Sequence, residues 1–173
     1  MKRLLFLLLA AVPLFASDAN NEITAENVLA QMNAYRAEAG FPPLRIEERL
    51  ARAAHDRMRD MEDGGWWSHE SPAGLSPFTW LTLRDYTFQD AGENLASGFE
   101  TVRLLVSSWM ESPGHRDNIM SPMFEDCGIA IIDGATTGRA TGKSIVVLFG
   151  RLRQPESTSR LHAPSAASRR SGS

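Results

Sequence analysis

The chain has a single cysteine in its 173 residues, so no internal disulfide can hold it together and its stability must come from packing. Long apolar runs are missing too. The longest, Leu4 to Val12, is well short of the roughly 20 residues that a membrane-spanning helix needs. Basic charge is scarce in the body: residues 17–150 carry 11 Lys and Arg against 20 Asp and Glu, a net of −9. That balance excludes the basic face on which nucleic-acid binding depends. Cys127 itself lies in the apolar run Cys127-Gly128-Ile129-Ala130-Ile131-Ile132 and reads as a small buried hydrophobe rather than a nucleophile.

What is present begins with Met1-Lys2-Arg3 and the apolar stretch after it, with small residues at Ala16 and Ala19. This is the pattern of a secretory signal peptide over residues 1–19, and no cysteine follows it to direct lipoprotein processing. Residues 20–152 are one domain's worth of chain. Residues 153–173 form a Ser- and Arg-rich tail expected to be disordered, solvated and offsetting the acidity of the body. The processed chain is expected to be a monomer without a transmembrane anchor, placed in the periplasm or outside the cell.

Periodicity places the elements. Val28, Leu29, Met32 and Tyr35 mark an amphipathic helix over 22–39, stopped by Gly40 and Pro42. Leu50, Ala53, Ala54, Arg57, Met58 and Met61 repeat the helical period over 47–63, ended by Gly64-Gly65. A short helix over 76–84 is predicted with Ser76 as N-cap and Pro77 at its first position, turning Trp80, Leu81 and Leu83 inward. Tyr86-Thr87-Phe88 reads as a short strand. Val102, Leu105, Val106 and Trp109 stripe a helix over 100–111, which Pro113 ends and after which Gly114 allows a sharp turn presenting His115. Residues 125–132 and 144–149 are β-branched runs forming a hairpin with a longer loop. Helices with antiparallel strands predict an α+β fold. Trp66 and Trp67 adjoin His69, and at most one of the pair is expected to point inward, leaving the other near any cleft.

Three polar islands punctuate these elements: His69-Glu70-Ser71-Pro72-Ala73-Gly74, Gly92-Glu93-Asn94-Leu95-Ala96, and Ser112-Pro113-Gly114-His115-Arg116-Asp117-Asn118. Such loops can converge on one cleft. Together with Val28 to Arg36, Gly40-Phe41-Pro42-Pro43-Leu44 and the closing Leu148-Phe149-Gly150, their order resembles the CAP superfamily: the cysteine-rich secretory, antigen 5 and pathogenesis-related-one proteins. Within it the likeness is to compact bacterial SCP-like extracellular members without disulfides. The resemblance implies an α-β-α sandwich with a small antiparallel sheet between helical layers.

Two histidines with one or two glutamates can hold zinc loosely, although a tight structural site wants four well-placed ligands. The resemblance implies such a tetrad, and His69, Glu93 and His115 match its motif positions. The second glutamate does not transfer: Ser112 stands in its place, Glu111 lies one residue earlier, about 100° around a helix, and Glu70 is a further substitute. Asn94 and Asn118 would support the cleft by tying loops down. Equally, His69 and His115 could be held by carboxylates simply to fix their loops. His55, beside Asp56, reads as a surface or packing residue, and His162 in the tail carries no signal.

The expectation is a secreted CAP-domain protein whose His/Glu cleft binds a divalent metal, with zinc the implied cofactor, or a small ligand such as a cell-envelope component, without established catalysis. A metal-assisted, peptidase-like hydrolase is one alternative. Ser71, Ser112 and Ser121 lie near the motifs, but neither G-x-S-x-G nor H-E-x-x-H is present. Lipid or sterol binding is another, with residues 72–80 and Met120 to Phe124 lining an apolar groove.

Overall fold

A single strand, β4 (Lys143–Leu152), organises the molecule by burying both of its faces. Ile145, Val147 and Phe149 enter one core and Val146 and Leu148 the other, because successive side chains of a strand point to opposite sides. The computed structural model describes residues 21–134 and 142–153. The expected signal peptide, the loop after residue 134 and the tail beyond Arg153, with His162, lie outside the described residues.

Three further strands complete the sheet: β1 (Arg45–Ile46), β2 (Phe88–Phe99) and β3 (Asp126–Asp133), in the order β1-β3-β4-β2. β3 and β4 form the expected hairpin, and β2 runs antiparallel to β4 on its other side. The sheet is not wholly antiparallel as expected, since β1 pairs parallel with β3 through Arg45 and Ile46. A parallel pair needs a long crossover, and the separation of 81 positions from Arg45 to Asp126 supplies it.

Helices cover both faces. α1 (Ala25–Glu38), α4 (Val102–Glu111) and α5 (Pro113–Met120) enclose one core, around Val28, Met32, Leu105, Val106, Trp109 and Ile119. α2 (Glu48–Gly64) and α3 (Thr79–Leu83) enclose the other, with Leu50, Met58, Met61, Trp80 and Leu81. The fold is therefore α+β, an α-β-α sandwich. Thr24 caps α1 by accepting from the Asn27 backbone at 3.2 Å, and the Glu47 carboxylate caps α2 by accepting from Leu50 at 2.9 Å, each satisfying an N–H that the helix leaves open. Gly128 permits the closest approach of layers, since a Cβ there would collide with the Leu50 carbonyl.

Four local expectations need correction. The strand expected at Tyr86 starts at Phe88 and continues for 12 residues through Gly92-Glu93-Asn94, because pairing along β4 outweighs the weak strand propensity of those residues. Pro113 ends α4 yet also begins α5, its fixed φ and missing N–H suiting a first helical position; His115 thus rides on a helix, not on a turn. Ser76 does not cap α3, which starts at Thr79; its hydroxyl accepts from the Phe78 backbone at 3.3 Å in the preceding turn. Leu83 is 69 % exposed, since the five-residue α3 has room on its inner side only for Trp80 and Leu81.

Candidate functional site

The polar islands do converge. β2 supplies Glu93 and Asn94, the loop after α2 supplies His69, and α5 supplies His115 and Asn118. Because neighbouring strand residues face opposite ways, Glu93 turns to α2 and Asn94 to α5. The site straddles the open edge strand of the sheet.

On the α2 side, His69 Nδ1 lies 2.8 Å from Glu93 Oε1, and Arg57 Nε donates to Glu93 Oε2 at 3.0 Å. Arg57 also donates through Nη2 to the carbonyls of Ser68 (2.5 Å) and His69 (2.9 Å). Its guanidinium sits between Trp66, at 4.7 Å from the ring centroid, and Trp80, at 4.8 Å, a favourable desolvated cation–π arrangement. Arg57 and Glu93 are buried, whereas the His69 side chain is 59 % exposed. The hydrogen bond to Glu93 holds the His69 pKa above its ordinary value, against a smaller opposing effect of burial.

On the α5 side, Asn94 Nδ2 donates to the His115 carbonyl at 3.1 Å, and Asn118 Nδ2 donates to Asn94 Oδ1 at 2.8 Å and to the Glu93 carbonyl at 3.0 Å. Gly92 makes room for this bridge, since a Cβ there would come within 2.6 Å of Asn118 Oδ1. The His115 ring packs 6.4 Å from Trp109, whose Nε1 donates to the Leu95 carbonyl. Burial, and then the neighbouring His69, push the His115 pKa down. The two imidazole centroids are 6.5 Å apart and tilted by 45°.

Other candidates lie apart from this centre. Glu111 and Glu70 are exposed and neither side chain enters a hydrogen bond or ion pair among the described residues. There, no group of three or more His, Cys, Asp or Glu is arranged to hold a metal ion. Both Glu93 oxygens are engaged, so the groups offered to a cation are two imidazoles, half the set a structural zinc site wants. Ser71 Oγ accepts from the Leu75 backbone and Ser121 Oγ from Met123; no serine is bonded to a histidine in the described residues. Trp66 and Trp67 are both half-buried against the α2/α3 core, and neither stands free beside the cleft. Of the expected apolar groove, Trp80 and Phe124 are buried while Leu75 and Met123 are exposed. An apolar groove of about 420 Å³ lies elsewhere, between α1 and α2, lined by Leu29, Ile46, Ala51, His55 and Ile129. Cys127 is fully buried, which pushes its thiol pKa up to about 12.

Two buried arginines beside the site, Arg57 and Arg36, escape a reading of the sequence. The spacing of Arg57 places it on the α2 stripe without assigning it a role, yet an arginine on a buried stripe demands a buried partner. Arg36, equally buried, donates to the carbonyls of Pro42, Ile119, Ser121 and Phe124 and so pins the end of α5 to α1. Its position four residues after Met32 on the inner face of α1 is the available signal.

Comparison with known proteins agrees with the architecture. The chain is 35 % identical over 111 residues to YkwD of Bacillus subtilis, an uncharacterized protein; the match covers 64 % of this chain and 43 % of that one. It thus spans under half of that relative's length. An extracellular SCP-domain protein of Bacillus anthracis superposes with a TM-score of 0.62 at 26 % identity, over 77 % of this chain and 40 % of the other. An outer surface protein of Borrelia burgdorferi gives 0.66 at 22 % identity, over 77 % and 98 %, a likeness of fold. The family model of the cysteine-rich secretory proteins, CAP, matches residues 29–149, and the chain belongs to that family.

Proposed function

We propose that this CAP domain acts outside the cytoplasm as a binding module, holding a small polar ligand at His69 and His115 without covalent catalysis. The carrying observation is the bond from His69 Nδ1 to buried Glu93. It fixes the ring and leaves Nε2 as the group for a ligand, 6.5 Å between centroids from a second imidazole. With Nδ1–H given to Glu93, neutral His69 offers an acceptor at Nε2, and protonated His69 a donor. The serines turned to their own loops support binding over acyl transfer. Extracellular and outer-surface proteins among the structural neighbours support the location, and no described helix is long and apolar enough to cross a membrane.

The test is saturation-transfer NMR on the chain with soluble peptidoglycan fragments and short carboxylic acids. Binding that disappears in a folded His69→Ala/His115→Ala double variant is the expected result. Equal binding by that variant would sink the reading. Loose zinc coordination is the second reading, and it needs the two imidazoles to close in from their 6.5 Å centroid separation; saturable one-to-one zinc binding by calorimetry, lost in the same variant, would support it.

A further inference from the structure

We infer that the Arg57 guanidinium is the resident cation of this site: it takes the Glu93 carboxylate and two carbonyls of the His69 loop, positions His69, and withholds Glu93 from any incoming metal. The role goes beyond ligand binding and draws on that reading only for the imidazoles that line the cleft.

Four observations carry it. Nε and Nη2 of Arg57 address three oxygens, Glu93 Oε2 and the carbonyls of Ser68 and His69, which is the hard-oxygen company a divalent ion would keep. The side chain is wholly buried and the Glu93 side chain 2 % exposed, so the pair is little screened and neither partner can be lost cheaply. Trp66 and Trp80 both pack against the guanidinium, which holds it away from water. Finally, Glu93 gives its other oxygen to His69, so each carboxylate oxygen is already committed to a fixed partner. An incoming cation at Glu93 would also have to share that carboxylate with the fixed positive charge of Arg57.

Arg57 is thus a positioning residue, and zinc is the probe that distinguishes this role from mere packing. Calorimetric zinc titrations would compare the unaltered chain with Arg57→Gln, Arg57→Lys and Glu93→Gln. Arg57→Gln frees Glu93 and is expected to tighten zinc binding by about tenfold or more, the scale on which groups around a metal ligand act. Arg57→Lys keeps the cation and should stay at the level of the unaltered chain. Glu93→Gln should leave zinc affinity where it was, because Glu93 is already taken.

A folded Arg57→Gln that binds zinc no more tightly overturns the inference, as does a tenfold loss in Glu93→Gln. If Arg57→Gln folds only with excess zinc, the ion has replaced the guanidinium and the inference stands; a chain unfolded despite zinc overturns it. A ligand screen that finds nothing would defeat the binding-module reading while leaving these zinc comparisons intact.

Discussion

The two histidines of the cleft are held by opposite means. His69 sits on an exposed loop, and its fixity is electrostatic: a buried carboxylate on the ring and a buried guanidinium on the loop backbone. His115 sits in the first turn of α5, and its fixity is neutral: an amide on its carbonyl, a tryptophan beside its ring, and Arg36 satisfying carbonyls at the far end of the helix. Each arm therefore depends on one buried arginine, but only Arg57 has a carboxylate partner. A charge-anchored arm and a packing-anchored arm respond differently to substitution and to pH.

The largest expected effect breaks the first arm alone. Arg57→Met leaves Glu93 buried and paired only with His69, and stability should fall by about 3–5 kcal/mol, the usual result of removing one partner of a buried pair; chemical denaturation would measure it. If the arms are separable, NMR shifts around Asn118 should move far less than those around His69.

The second arm should break at Gly92. Gly92→Ala drives a methyl into Asn118 Oδ1 at 2.6 Å, and an overpacked contact of this kind costs about 1–3 kcal/mol. Amide exchange of α5 should accelerate while the loop at His69 keeps its protection.

A smaller effect lies in pH, where the arms should oppose each other. His69 has a raised pKa, so its contribution is fully present below the unfolded value of 6.5 and is lost as pH rises through the folded value. His115 has a lowered pKa, so the unfolded chain binds its proton more readily, and stability is lost as pH falls from 6.5 through the folded value. His69→Gln should therefore make the protein relatively less stable on the acid side, and His115→Gln relatively more stable there, in melts from roughly pH 5 to 8. The same slope in both variants would contradict the assignment. Least affected should be Glu111→Gln, which removes an exposed carboxylate outside both arms; its stability should change by under about 0.5 kcal/mol and its zinc titration not at all.

The helical stripes were readable because burial repeats with the helical period, and Val102, Leu105, Val106 and Trp109 are all buried as the spacing indicates. The hairpin of β3 and β4 was readable from its β-branched runs. The strand carrying Glu93 and Asn94 was not, since only pairing with β4 makes that polar, glycine-containing segment extended. The helix that begins at Pro113 was hidden for a related reason: a proline ends one helix or starts the next depending on what the following turn packs against.

The sequence by itself determined which polar residues are at hand, their order, and the alternation of helices and strands, because those follow from local periodicity and turn chemistry. Only the tertiary structure decided what the residues do to each other. Glu93 meets Arg57 across 36 positions and His69 across 24, and Asn94 meets His115 across 21. Those pairings arise where two helical layers close on one strand edge, and a linear pattern carries no record of which buried arginine a carboxylate will find there.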